Sequence, residues 1–259
     1  MSLKSDISFY DSHIHLSDTE YSDILSYLLE SMNALNIKAC SVTVDIGTSI
    51  RALKLFHSQR DIVRNFVGIH PQFANITESS VFEEIVSQNQ EIIDGIGEIG
   101  LDSKYCDAHN DYSVQRKVFE QMLDIASEIE KPVSIHSRGS LDEILDILSG
   151  YDGLKVCLHW FDGNEKQLLR SMEMGLYVSY GPSVVYSMRK RKLLKLTNLS
   201  RLLTETDGPV KYPACFEYVT AMPTSMLASI VYAISQVHKI SFRDTSAKIF
   251  CNSIDFFGS

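Results

Sequence analysis

Short β-prone runs alternate eight times with longer stretches in which apolar residues recur at helical spacing, and this alternation restricts the fold more than any other property of the chain. The predicted strands are 7–13, 38–44, 62–68, 93–97, 133–136, 154–159, 176–180 and 200–205. Between them, Leu141, Ile144, Leu145 and Leu148 fall at i, i+3, i+4 and i+7 on one helical face. Ile24, Leu28, Leu29, Met32 and Leu35 repeat that spacing less strictly, and Val114, Val118, Met122, Ile125 and Ile129 carry it up to Lys131-Pro132, where the proline opens the next strand. Strand followed by helix, repeated, requires parallel strands, because a parallel neighbour is reached only through a crossover. Eight such units in 259 residues predict an α/β chain, a single (β/α)8 TIM barrel domain spanning 1–259. An open dinucleotide-binding sheet is disfavoured, since no Gly-x-Gly-x-x-Gly follows the first strand.

Charge narrows the partners. Lys plus Arg number 24 against 33 for Asp plus Glu, a net −9, which argues against a broad electrostatic grip on nucleic acid or an anionic membrane. A polyanionic substrate must then be held locally. The five cysteines (Cys40, Cys106, Cys157, Cys215 and Cys251) form no Cys-x-x-Cys and read as packing or free thiols of a reducing cytoplasm. No apolar run approaches the roughly 18 residues that span a bilayer, and the first residues lack the pattern of a secretion signal, so a cytoplasmic chain without a membrane or obligatory protein partner is expected.

The chemistry-bearing residues collect at strand ends. The first strand finishes in Asp11-Ser12-His13-Ile14-His15, where residues two apart project to one face of an extended chain. The fourth runs into Gly97-Glu98-Ile99-Gly100-Leu101-Asp102, the fifth ends Ile135-His136-Ser137-Arg138, the sixth Leu158-His159-Trp160, and the eighth Glu205-Thr206-Asp207-Gly208-Pro209. Active sites of such barrels lie at this C-terminal rim, where the βα loops converge. Taken singly, His136 reads as a core histidine, His159 as a packing partner of Trp160, and Glu98 and Asp207 as turn carboxylates. Taken together, four histidines and two carboxylates on one rim point to a divalent metal site instead.

These motifs, with Gly-Ile-His-Pro at 68–71, Gln115, Phe119 and Gln121, and the stretch 252–257, resemble the TatD-related deoxyribonucleases, metal-dependent hydrolases of the amidohydrolase superfamily. The resemblance covers nearly the whole chain. It implies that His13, His15 and Asp207 hold one metal, that His136 and His159 hold a second, and that Glu98 bridges them. A carboxylate can serve two cations through its two oxygens, and such a pair stabilises the attacking and leaving oxygens of an in-line phosphoryl displacement. The two ions are open among Zn, Mn, Co, Ni and Mg, with imidazoles suiting the first four better.

The implied activity is hydrolysis of phosphodiester bonds in DNA, at ends or in single strands, by a metal-activated water. In that scheme Asp207 orients the water and takes its proton, and Glu205 is either a second acid or base or an outer partner. His70 and Arg138 are expected to donate to the substrate phosphate, and Asp11 and Asp102 to fix imidazole tautomers. Trp160, Phe161 and Tyr105 read either as core aromatics or as a stacking surface for an unpaired base. The run Arg189-Lys190-Arg191-Lys192, with Lys195 beyond it, reads as the wet face of a helix, with attraction of DNA as its functional alternative.

The chain departs from the common family pattern at Gly208, where Ala is usual, at Trp160, where Cys is frequent, and along 210–215. Two rivals therefore remain: hydrolysis of a lactone, cyclic amide or ester, and a catalytically silent barrel that only binds. Glu98 stands where lactone- and amide-cleaving relatives often carry a modified lysine, and the complete ligand set argues against silence.

Overall fold

The computed structural model describes residues 7–106 and 111–258. Eight strands form in the predicted order: β1 (Phe9–Ile14), β2 (Ile37–Val42), β3 (Val63–Val67), β4 (Gly95–Asp102), β5 (Val133–Arg138), β6 (Val156–Leu158), β7 (Tyr177–Tyr180) and β8 (Leu202–Thr204). Each pairs in parallel with the next, giving one sheet in sequential order. The ends of β8 and β1 meet through the Thr204 hydroxyl, which donates to the Tyr10 carbonyl at 2.9 Å, and through Asp207 N–H, which donates to the His13 carbonyl at 2.9 Å. The result is a nearly closed (β/α)8 barrel, as the alternation predicts.

Among the described residues, ten α-helices follow or flank the strands: α1 (Leu25–Ala34), α2 (Ile46–Phe56), α3 (Ile76–Asn89), α4 (Tyr112–Glu128), α5 (Leu141–Leu148), α6 (Glu165–Glu173), α7 (Met188–Leu196), α8 (Pro213–Phe216), α9 (Pro223–His238) and α10 (Phe242–Phe257). Local chemistry starts several of them. Asp45 and Thr48 form a reciprocal capping box on α2, and Asn164 and Gln167 form one on α6. All four periodic residues of α5 are buried, each worth about 1.5–3 kcal/mol relative to exposure. On α1 the looser period shows: Leu28 and Met32 are buried, whereas Ile24 and Leu35 stay exposed.

Strand alternation divides the core in two. Ala39, Val156, Val178 and Leu202 face the helices, while Cys40, Cys157, Tyr177 and Leu203 face the barrel interior. The interior is closed by α10, whose Phe257 stacks on Tyr10 at 4.7 Å and whose Phe256 meets Tyr177 edge-on at 5.1 Å. Cys40 and Cys157 are packing residues, as expected, but Cys106 and Cys251 are exposed. Among the described residues, no helix is long and apolar enough to cross a membrane.

Candidate metal centre

The end of β1 is bulged. Its register with β2 slips between Asp11 and Ile14, which re-aims His13 and His15 toward the rim. Asp11 holds this kink: its carboxylate accepts from Thr206 N–H at 2.9 Å, the Thr206 hydroxyl at 2.6 Å and His13 N–H at 3.3 Å. Burial pushes the Asp11 carboxyl up to about 8 against the pull of these donors. The expectation that Asp11 fixes an imidazole tautomer is therefore corrected. Among the described residues its hydrogen bonds go to the His13 and Thr206 amides and the Thr206 hydroxyl, and none goes to an imidazole ring.

Glu98, near the middle of β4 and 3% exposed, faces five imidazoles. Its Oε2 lies 3.5 Å from His13 Nε2 and 3.6 Å from His15 Nε2. Its Oε1 lies 2.7 Å from His159 Nε2, 2.8 Å from His136 Nδ1 and 3.5 Å from His70 Nε2. Asp207 Oδ1 completes the first group, at 3.6 Å from His13 Nε2 and 3.4 Å from His15 Nε2. Burial opposes ionisation of Glu98, but the imidazoles around it, His159 foremost, hold it well below the usual carboxylate range. The same burial opposes protonation of His15, His136 and His159, yet carboxylate partners raise all three. His13 goes the other way, lowered by burial and by His159, on whose ring it stacks at 3.7 Å.

Three sets of ligand atoms lie within 4.8 Å of one another: His13, His159 and Asp207; His13, His15 and Glu98; and His70, Glu98 and His136. His13 Nε2 is buried without a hydrogen-bond partner among the described residues while facing two carboxylates. Imidazole nitrogens and carboxylate oxygens around an unsatisfied buried nitrogen suit a divalent cation.

Outer contacts aim these rings. Asp102 Oδ2 lies 3.0 Å from His136 Nε2, as expected of a tautomer-fixing carboxylate. Glu205 is fully buried beneath His159: Oε1 accepts Trp160 N–H at 2.7 Å, and Oε2 accepts the Ser179 hydroxyl at 2.5 Å and lies 3.7 Å from His159 Nδ1. β8 stops at Thr204, so Glu205 does not share a strand face with Asp207, and it is not among the residues lining the cavity. Asp207 and Trp160 both adopt left-handed backbone, with φ of 52° and 44°, a conformation that costs of order 1 kcal/mol or more for such residues. The His13 carbonyl and the Glu205 carboxylate, which accept their amide protons, hold them there.

Above the cluster opens a cavity of about 460 Å³, lined by His15, His70, Glu98, His136, His159 and Asp207, with Arg138, Tyr105 and Trp160 among its outer walls. His70 Nδ1 accepts Gln72 N–H at 3.1 Å, which leaves the ring proton on Nε2. Burial pushes His70 down to about 4, so the ring is neutral near pH 7. Arg138 is exposed at the mouth, with its guanidinium 5.8 Å from the Tyr105 ring centre. Phe161 is buried away from the cavity, whereas Trp160 lines it.

The basic run is a latch. Arg189 donates to Asp162 Oδ1 at 2.5 Å and to its carbonyl at 2.8 Å, while Lys190, only 6% exposed, sits 3.0 Å from Asp162 Oδ1 and donates to the Phe161 carbonyl. Arg191 donates to the Val184 and Val185 carbonyls. The wet-face reading holds for Arg189, Lys192 and Lys195, which are exposed, and is corrected for Lys190, which is buried against the loop after β6. Sequence reasoning also passed over Ser134, whose hydroxyl lies 2.9 Å from His13 Nδ1. Its place two residues before His136, on the same strand face, was the available signal.

The TatD related DNase family model matches residues 10–258. The chain is 27% identical over 250 residues to the putative deoxyribonuclease TATDN3 of Mus musculus, covering 92% of this chain and 84% of that one. It is 26% identical over 263 residues to deoxyribonuclease TATDN3 of Homo sapiens, with 97% and 95% covered. It is 24% identical to the uncharacterized metal-dependent hydrolase MJ1582 of Methanocaldococcus jannaschii, with 97% and 98% covered. In fold it is similar to the TatD homolog YJJV of Escherichia coli K12, with a TM-score of 0.87 at 19% identity over 97% of this chain and 98% of that one. The chain belongs to the TatD-related deoxyribonuclease family and is a metal-dependent hydrolase acting on ester bonds.

Proposed function

We propose that this enzyme hydrolyses phosphodiester bonds of DNA, at ends or in single strands, with two divalent ions per chain. The observation that carries this reading is the division of labour on Glu98, whose Oε2 faces His13 and His15 and whose Oε1 faces His136 and His159. His13, His15 and Asp207 would hold one ion, His136 and His159 the other, and Glu98 both; the imidazole-rich set favours Zn, Mn, Co or Ni over Mg. Such a pair, when bound, lowers the pKa of water toward 7 and offsets charge on the attacking and leaving oxygens.

The chain's own residues supply the rest. Asp207, opening onto the cavity, orients the attacking water and accepts its proton. His70, neutral and protonated at Nε2, donates to a non-bridging phosphate oxygen, and the planar fork of Arg138 engages the phosphate from the mouth. Glu205 acts through His159 and the Trp160 backbone, not as a second acid. The names of the mouse and human relatives support DNA as the substrate, and the unpaired thiols fit a reducing cytoplasm.

The test is Glu98→Ala, assayed on an end-labelled single-stranded oligonucleotide with Zn, Mn, Co, Ni and Mg in turn. Cleavage should vanish while the thermal midpoint of the chelated protein stays close to wild type; full activity in the variant overturns the assignment. A wild-type enzyme that opens lactones but leaves the oligonucleotide intact would favour the carboxylic ester reading.

A further inference from the structure

His13 is fully buried, and its two ring nitrogens face opposite ways. Nε2 points at Glu98 and Asp207 without a hydrogen-bond partner among the described residues, while Nδ1 lies 2.9 Å from Ser134 Oγ, on β5 and 1% exposed. The approach of Ser134 depends on Gly97, where an added Cβ would sit 2.9 Å from the Ser134 Cβ and 3.0 Å from its carbonyl oxygen.

We propose that Ser134 is a positioning residue, whose hydroxyl oxygen accepts the Nδ1 proton of His13 and thereby keeps Nε2 free to bind a cation. The inference rests on the two-ion reading above. A neutral imidazole carries one proton, and a nitrogen that binds a metal must be without it. The proton therefore belongs on Nδ1, which is sealed from water and has no other acceptor within hydrogen-bonding distance among the described residues. Without Ser134 the ring proton would move to Nε2, which faces the Glu98 and Asp207 carboxylates, and that nitrogen would no longer be free for a cation.

The other rings are served differently. His136 leans on the Asp102 carboxylate and His159 faces Glu205, whereas His13 relies on a neutral hydroxyl. A hydroxyl is the partner that adds no further negative charge beside Glu98 and Asp207. It orients the ring without competing for the cation.

The experiment is a Co²⁺ titration of the chelated full-length protein, followed by the visible absorption of the bound ion, with thermal unfolding of the metal-free protein alongside. Ser134→Ala should weaken one binding step about 10–100-fold, the usual cost of losing an outer partner, with the metal-free thermal midpoint unchanged. Ser134→Thr, which keeps the hydroxyl, should restore affinity. Ser41→Ala, which removes a buried hydroxyl touching no imidazole, should bind like wild type. Wild-type affinity in Ser134→Ala, or an equal loss in Ser41→Ala, overturns the proposal. Wild-type protein that takes up no Co²⁺ would instead bring down the two-ion reading on which it rests.

Discussion

The indole of Trp160 stacks on the ring of Tyr212, with centroids 5.5 Å apart and planes 20° from parallel. Tyr212 is itself anchored, its hydroxyl donating to the Thr206 carbonyl at 2.8 Å. Trp160, which lines the cavity, and Tyr212 of the 210–215 loop are thus one packed unit. Trp160→Ala and Tyr212→Ala should couple by about 0.5–1.5 kcal/mol in a double-mutant cycle of unfolding free energies. Strict additivity would show that the stack carries no energy.

Glycine at 208 has a steric reason. A Cβ on Gly208 would fall 2.0 Å from the Tyr21 hydroxyl oxygen and 2.4 Å from the Ala221 carbonyl oxygen, which are bonded to each other at 2.5 Å. Gly208→Ala should therefore destabilise by about 1–3 kcal/mol, read by urea denaturation, and Tyr21→Phe in that background should recover only part, since the carbonyl remains. A neutral Gly208→Ala would mean that the loop yields freely.

Asp162 is the counterpart of two cations. Removing it as Asp162→Ala leaves the Lys190 ammonium buried with the Phe161 carbonyl as its partner, and burial already pushes that amine below its ordinary range. Because Asp162 itself is largely exposed, the loss should be modest, about 1–2 kcal/mol. Lys190→Met in the same background should return part of it, by matching the amine's stem without its charge. No recovery would argue that Arg189 carries the latch alone.

His70 gives a pH dependence with a defined sign. Its folded value, pushed down to about 4 by burial, lies below the roughly 6.5 of an unfolded chain, so the unfolded state binds the proton first as pH falls. The stabilisation is complete above pH 6.5 and is lost as pH drops toward 4, by up to about 3 kcal/mol. Denaturant unfolding of the chelated protein should therefore fall more steeply over this window than that of His70→Asn. Equal slopes would place the acid sensitivity elsewhere.

Much of the barrel was legible because its signals are local. The apolar period of α5, the proline before β5 and the His-x-His at the end of β1 each depend on residues a few positions apart, and parallel pairing follows from their order. The gathering of the ligands was legible too, since polar side chains at strand ends have one place to meet, although β4 runs on to Asp102 and leaves Glu98 within the strand instead of at its end. Less legible was the direction in which those side chains point.

Direction is set by contacts between residues far apart in the chain. Asp11 turned out to clamp Thr206, and Glu205 faces His159 instead of Asp207 because β8 ends one residue earlier. The charges of α7 closed on Asp162 and nearby carbonyls, and α10 filled the barrel with two phenylalanines. By itself, then, the sequence determined which residues stand at the rim and that a repeated strand-helix unit carries them. Tertiary structure alone decided which nitrogen or oxygen each one presents, because a one-residue slip in register, invisible to local pattern, sends a side chain to the opposite face.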